Sequence, residues 1–212
     1  MRVAEGLVSQ SVDLPGGELR ILQPEEAAEL PDDGPVEWAP VAPYWAVLWR
    51  SGVALARELE SEELGGLRVV ELGCGLAVPS IAAARAGASV LATDACPEAL
   101  ALAKRNARAN GVRIETAAFD WAERGLSATP APGAGRLAGG FDLVLAADVL
   151  YERPAVAALL DLLPRLAREA WLADPGRPAA GAFLEQASLR WPVDTRERGV
   201  VRIHRLRFSS PP

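Results

Sequence analysis

From Leu67 onward the sequence alternates short apolar runs with helical patterns, and few architectures accommodate that alternation. Leu67 to Leu72, Ala88 to Thr93, Val112 to Phe119 and Phe141 to Val149 read as strands. Pro79 to Ala86 and Pro97 to Asn110 read as helices. Each has a proline in its first turn, where a missing N–H costs nothing, and each closes at a glycine or an Asn-Gly. Phe141 to Val149 is apolar nearly throughout, as in a strand covered on both faces. Pro154 to Ala170 reads as a helix that tolerates Pro164, Trp171 to Ala173 as a short strand, and Arg177 to Ala187 as a helix. Arg190 to Thr195 and Val200 to Phe208 read as two further strands. In the second of these, Val201 and Ile203 are odd-numbered but Leu206 and Phe208 are even, so a bulge near His204 or Arg205 is expected. The pattern predicts an α/β protein with a doubly wound, mostly parallel seven-stranded sheet. Its crossovers are right-handed and its site lies at the carboxyl ends of the strands.

The segment before Leu67 has another character. Gly6 to Gln23 reads as a hairpin around Pro15-Gly16-Gly17, and Pro24 to Pro43 as a surface connection rich in Pro, Asp and Glu. A helix follows in which Val47, Leu48, Leu55 and Leu59 share a face; it stops before Gly65-Gly66. Ala122 to Gly140 reads as a loop. At 212 residues a single domain is expected. Residues 1–64 would supply hairpin, connection and a covering helix, and residues 65–212 the Rossmann-like core.

Composition removes several classes of function. Hydrophobic residues make up 50% of the chain, enough to form a core, so disorder is excluded. No apolar run reaches the roughly 18 residues of a membrane span, and Met1 to Gly6 has no apolar signal core. A cytoplasmic protein is therefore expected. Two cysteines and one histidine, His204, predict neither a disulfide scaffold nor a metal site. The net charge of −6 disfavours a phosphate backbone as partner. Lys104 is the one lysine among 22 basic residues, and nothing in the sequence explains that bias.

The chemistry concentrates in Val70-Glu71-Leu72-Gly73-Cys74-Gly75-Leu76-Ala77, which follows one predicted strand and opens a predicted helix. Its glycines let backbone approach a ligand. Asp94 ends the next strand, where an acid can hold both hydroxyls of a ribose. Glu71, two residues before the first glycine, would sit badly beside a pyrophosphate but well beside a cation. Val78 also stands where a dinucleotide fingerprint has Gly or Ala. The ligand expected is cationic, nucleoside-like and free of phosphate.

With these features the chain resembles a class I, seven-strand S-adenosylmethionine-dependent methyltransferase. More closely it is similar to the family 16 methyltransferases, which include lysine methyltransferases. Pro43-Tyr44-Trp45-Ala46-Val47-Leu48-Trp49-Arg50-Ser51-Gly52, Glu71 to Leu76, Thr93-Asp94, Phe119-Asp120-Trp121 and Asp148-Val149-Leu150-Tyr151 carry the likeness. Ala173-Asp174-Pro175-Gly176-Arg177 resembles bacterial relatives of the electron-transfer flavoprotein beta-subunit lysine methyltransferase.

The resemblance implies S-adenosylmethionine as cofactor and a role for each matching residue. Trp49 would cover the cofactor. Glu71, Gly73, Cys74 and Gly75 would surround its amino-acid portion. Asp94 and Ala95 would hold the ribose. Asp120 would accept from the adenine amino group, with Trp121 against the ring, and Ala147 would touch the cofactor beside Asp148. Asp148 and Tyr151 would line the acceptor side, Asp148 orienting an amine and taking up its proton through water. Ala77 departs from the family, which often has a third glycine there; a methyl group is tolerable if the backbone is already helical.

Other readings stand beside these. Trp45 reads as core. Trp121 could cap its loop, Asp120 could be a turn acid and Tyr151 could cap a helix. Cys74 and Cys96 could approach each other, although free thiols are expected. His204 reads as a satisfied strand residue, and Arg202, Arg205 and Arg207 as a solvated face. A protein lysine is the acceptor first expected, followed by a small amine or pyridine-like nitrogen, and then a non-catalytic adenosyl-ligand-binding domain. Nucleic-acid adenine methylation is disfavoured, since Asp148-Val149-Leu150-Tyr151 lacks the prolines of the Asn/Asp-Pro-Pro-Tyr/Phe slot.

Overall fold

A computed structural model describes residues 6–29, 43–121 and 140–208. The hairpin is formed by β1 (Leu7–Val12) and β2 (Leu19–Pro24), paired antiparallel, and a four-residue helix α1 (Glu25–Ala28) follows. A 3₁₀ turn, Tyr44–Ala46, precedes α2 (Arg50–Leu59). The alternating region contains β3 (Arg68–Leu72), α3 (Val78–Arg85), β4 (Ser89–Asp94), α4 (Pro97–Ala109) and β5 (Glu115–Ala118). It continues with β6 (Phe141–Ala147), α5 (Arg153–Leu166), β7 (Ala167–Asp174), α6 (Pro178–Ser188), β8 (Val193–Arg198) and β9 (Val201–Arg207).

The large sheet has the order β5-β4-β3-β6-β7-β9-β8. Pairings are parallel from β5 to β7, and β9 is antiparallel to both β7 and β8. Because β4 and β6 flank β3 on opposite sides, the winding reverses at β3, and a crevice opens above its carboxyl end. The alternation of side chains along each strand builds two cores. Val69, Leu143, Leu145, Trp171 and Ile203 face α2, α3 and α4, whereas Val70, Leu72, Val144, Ala146 and Leu206 face α5 and α6. The hairpin joins the first core through Leu19 and Ile21.

Several expectations are corrected. Val47 and Leu48 precede α2, whose N-cap is Trp49, because the chain is extended at Val47 after the 3₁₀ turn. The helix holding Pro164 ends at Leu166, and β7 starts at Ala167 instead of Trp171. Helix propensity in Ala167 to Ala170 is overridden by ladders with β6 on one side and β9 on the other. The fourth strand stops at Ala147, and β5 covers Glu115–Ala118 of the predicted Val112 to Phe119. No bulge interrupts β9, which pairs residue by residue with both neighbours. Its apolar residues change parity because both faces of the strand are covered: Val201 and Ile203 enter the first core, Leu206 and Phe208 the second. Arg205 is buried, not solvated: it stacks 3.7 Å from the Trp171 ring centroid and bonds to Glu58 and Glu62. The predicted loop at Ala122 to Gly140 lies outside the described residues except for Gly140.

Candidate functional site

β3 delivers Glu71 to the crevice, and the glycine loop carries the chain over its top. Gly73 (φ 65°), Gly75 (φ 48°) and Ala77 (φ 63°) are all left-handed. At Gly75 a Cβ would lie 2.5 Å from the Trp45 carbonyl oxygen, so only glycine fits under the segment that precedes α2. Ala77 adopts the same left-handed region with a methyl group, not the right-handed helical backbone under which a methyl group is readily tolerated. It is the left-handed N-cap of α3, buried, with its N–H donating to the Cys74 carbonyl at 2.6 Å.

Asp94, at the end of β4, holds the loop from beneath. Its Oδ2 accepts the Gly75 N–H and its Oδ1 the Cys96 N–H, each at 2.9 Å. Burial raises its pKa although these hydrogen bonds oppose the shift. Glu71 is 1% exposed, and its Oε2 accepts the backbone N–H of Ser80 at 3.0 Å and the Ser80 hydroxyl. Burial pushes its carboxyl up to about 8, against the pull of those hydrogen bonds and with a further push from Asp94. Cys74 is buried and Cys96 partly so; both are free, and burial holds both thiols above the ordinary range.

The part of the crevice after β6 is built on an ion pair. Asp148 follows β6 in a left-handed conformation (φ 56°), fixed by its N–H to the Ala173 carbonyl at 2.9 Å. Arg177 grips it with two bonds, Nε to Oδ1 and Nη2 to Oδ2, both 2.9 Å. The two side chains are 10% and 5% exposed, and the guanidinium lies 5.7 Å from the Trp49 ring centroid. Hydrogen bonds to Asp148 raise the Arg177 pKa further. Arg177 is aimed by the turn after β7, where Asp174 Oδ1 accepts the backbone N–H groups of Gly176 and Arg177. Trp49 is oriented by its indole N–H, which donates to the Tyr44 carbonyl at 3.1 Å. Tyr151 is 54% exposed at the rim, and partial burial with nearby carboxylates raises its phenol pKa.

A cavity of about 340 Å³ unites these parts. Trp49, Glu71, Gly73, Cys74, Gly75, Asp94, Ala95, Asp120, Trp121, Ala147, Asp148 and Tyr151 all line it. Among the other residues that line it, Arg177, Tyr44 and Trp45 carry side chains suited to a site, and the sequence placed none of them there. Arg177 lies within a segment that carries the family likeness, but its pairing with Asp148 spans 29 positions and has no local signal. Tyr44 and Trp45 also lie in such a segment; Trp45, expected as core, packs against the first core and also walls the cavity. Among the described residues no group of three or more His, Cys, Asp or Glu is placed to hold a metal ion.

The lining suits a sulfonium nucleoside. Glu71 and Asp94 offer acceptors for an ammonium group and ribose hydroxyls, the glycine loop offers close backbone approach, and Trp49 and Trp121 offer aromatic faces. No helix among the described residues is long and apolar enough to cross a membrane.

A sheet of this order, with a glycine loop after β3 and acids near the carboxyl ends of β3, β4 and β6, defines a class I S-adenosylmethionine-dependent methyltransferase. Within that class the chain belongs to the lysine methyltransferase family, whose model matches residues 44–171. The electron transfer flavoprotein beta subunit lysine methyltransferase of Xenopus laevis is 33% identical over 150 residues, covering 68% of this chain and 56% of the relative. The protein N-lysine methyltransferase METTL21A of Danio rerio is 35% identical over 128 residues, covering 57% and 55%. The chain thus spans about half the length of the curated relatives it matches. The Thermus thermophilus 16S rRNA N2 G1207 methyltransferase, solved with AdoMet and guanosine, superimposes with a TM-score of 0.65 at 14% identity. That match covers 99% of this chain and 52% of the other, and shows a shared fold.

Proposed function

We propose that the chain is a protein-lysine N-methyltransferase, acting as one domain and working in the cytoplasm. The observation that carries the reading is the Asp148–Arg177 pair, set in the wall of the same cavity as Glu71 and Asp94. In this reading Glu71 receives the cofactor's ammonium, Asp94 and Ala95 its ribose, and Asp120 and Trp121 its adenine. Gly73, Cys74 and Gly75 line its amino-acid arm, and Trp49 and Ala147 close over it.

Bound S-adenosylmethionine supplies a methyl group already activated by a sulfonium. The protein's tasks are then alignment, exclusion of water and delivery of a neutral amine. A free lysine amine has a pKa near ~10.4. Pairing with Arg177 cancels the charge of Asp148, so an incoming ammonium gains little electrostatic support, and its desolvation in the cavity lowers that pKa in place. Arg177 occupies two of the roughly four lone-pair positions of the Asp148 carboxylate. The others can accept from the incoming amine and pass its proton to water. Tyr151 stands at the rim, where a protein surface would present its side chain.

A second reading rests on the same pair. Arg177 neutralises Asp148, and a neutral wall also suits a small amine or a pyridine-like nitrogen. Incubating the protein with methyl-labelled cofactor and a cell extract separates the readings. Label in macromolecules that resists nuclease and yields to protease is expected. Label confined to small molecules would transfer the assignment to the second reading. Cofactor binding with no label at all would overturn both and leave a non-catalytic binding domain.

A further inference from the structure

The hairpin β1–β2 supplies none of the described residues that line the cavity, yet it is tied to the cofactor loop through one side chain. Asn106, on α4, is fully buried. Its Oδ1 accepts the Leu22 N–H at 2.8 Å, and its Nδ2 donates to the Leu22 carbonyl at 3.1 Å and to the Leu76 carbonyl at 3.2 Å. Leu22 lies in the middle of β2. Leu76 lies between the left-handed residues Gly75 and Ala77 and lines the cavity. One amide therefore fixes a strand of the hairpin and a carbonyl of the glycine loop together.

Asn110, one turn further along the helix, serves as an internal control. Its Oδ1 accepts the Arg20 N–H at 2.8 Å, and its Nδ2 donates to the Arg20 carbonyl at 2.8 Å. It holds the same strand in the same way, but its other Nδ2 bond runs back to the Asn106 carbonyl at 2.8 Å instead of out to the loop. The match is geometric: four residues of helix rise about 6 Å, close to the roughly 6.6 Å spanned by two residues of strand.

We propose that Asn106 is a positioning residue for the cofactor, through which docking of the hairpin sets the geometry of the glycine loop. A buried carbonyl or N–H deprived of its partner must find another, and a loop with three left-handed residues relaxes when it does. Coupling of this kind is reciprocal: if hairpin docking strengthens cofactor binding, cofactor binding strengthens hairpin docking.

The test compares Asn106→Ala with Asn110→Ala in the full chain, using calorimetric titration with S-adenosylhomocysteine and thermal melting. Both variants are expected to melt at lower temperature. Asn106→Ala is expected to raise the dissociation constant about tenfold or more, while Asn110→Ala stays within about twofold. Equal effects of the two variants on affinity, or no effect of Asn106→Ala, would overturn the proposal. Hydrogen exchange of the wild-type protein gives a second measurement that needs no variant. Saturation with S-adenosylhomocysteine is expected to slow exchange of the Arg20 and Leu22 amides, and unchanged exchange there would refute the coupling. Neither readout involves the methyl acceptor, so failure here is distinct from failure of the lysine assignment.

Discussion

Replacing Glu71 by Gln should make the free protein more stable above neutral pH and a poorer binder of its cofactor. In the fold Glu71 is 1% exposed and its carboxyl titrates at about 8, against 4.5 when unperturbed. The sign follows from proton counting. Below about pH 4.5 both folded and unfolded chains hold the proton, so Glu71 is neutral to stability. Between 4.5 and 8 the unfolded chain releases it and the folded chain keeps it, so stability falls as pH rises; above 8 the penalty is constant. With each unit worth about 1.36 kcal/mol, the loss between pH 5 and pH 8 is on the order of 3 kcal/mol. The substituted glutamine would not titrate, and its carbonyl can accept both bonds from Ser80. Urea unfolding of the two proteins from pH 5 to pH 8 should therefore show the variant gaining relative to wild type by about that amount. An ammonium group beside Glu71 should release the proton. Calorimetric titration with S-adenosylhomocysteine near pH 6.5, in buffers of different ionisation enthalpy, should show close to one proton expelled by the wild type and none through this route by the variant. A stability difference that stays flat across pH, with no proton released on binding, would refute the reasoning.

Three other outcomes can be measured. Ala77→Gly should relieve a left-handed alanine, raising stability by roughly 0.5–1 kcal/mol, or about 2 °C in Tm; a lower Tm would contradict the strain. Arg177→Met should cost roughly 3–5 kcal/mol by stranding a buried carboxylate, and adding Asp148→Asn should recover much of it; in a double-mutant cycle, independent effects would show that the pair is not coupled. Burial and the charge of Arg202 hold His204 down at about 4, so its ring should show no NMR titration from pH 8 to about pH 5; this histidine contributes stability that is lost as pH falls from 6.5 toward 4, and a midpoint near 6.5 would disprove the burial argument.

The elements that position the glycine loop are legible in the sequence because their signals are local. β3, α3, β4 and α4 have unmixed periodicity and proline or glycine at their ends, and their bounds fall within two residues of those expected. The acids at the strand ends are legible for the same reason: a carboxylate closing an apolar run needs a cleft to face. What is illegible depends on distant partners. Arg205 resembles a surface arginine until Glu58, 147 positions earlier, is placed against it. Asp148 resembles a free acid until Arg177 is turned toward it. The apparent phase change in β9 comes from helices covering both of its faces, which no window on residues 201–208 contains. Ala77 is left-handed because the glycine loop and the start of α3 require that turn, and nothing in the alanine announces it.

The cluster at Glu58 bears on the order in which the chain can become competent. Glu58, near the end of α2, is 4% exposed and bonded to Arg196, Arg198 and Arg205. Burial alone would raise its pKa, but those guanidinium groups bring it below the ordinary value. The helix capped by Trp49 is thus fastened to residues made 138 to 147 positions later. β8 emerges before β9 yet lies outside it, with no strand to pair against until residues 201–207 arrive between it and β7. On the ribosome, synthesis at about 5–20 residues per second leaves roughly 7–30 s in which α2 exists without its anchor. During that interval the carboxylate of Glu58 can stay hydrated only if the helix stays off the sheet. The cavity wall formed by Tyr44, Trp45, Val47, Leu48, Trp49 and Gly52 is then among the last pieces to settle, and a nascent chain stopped before β9 would leave that wall without its fastening.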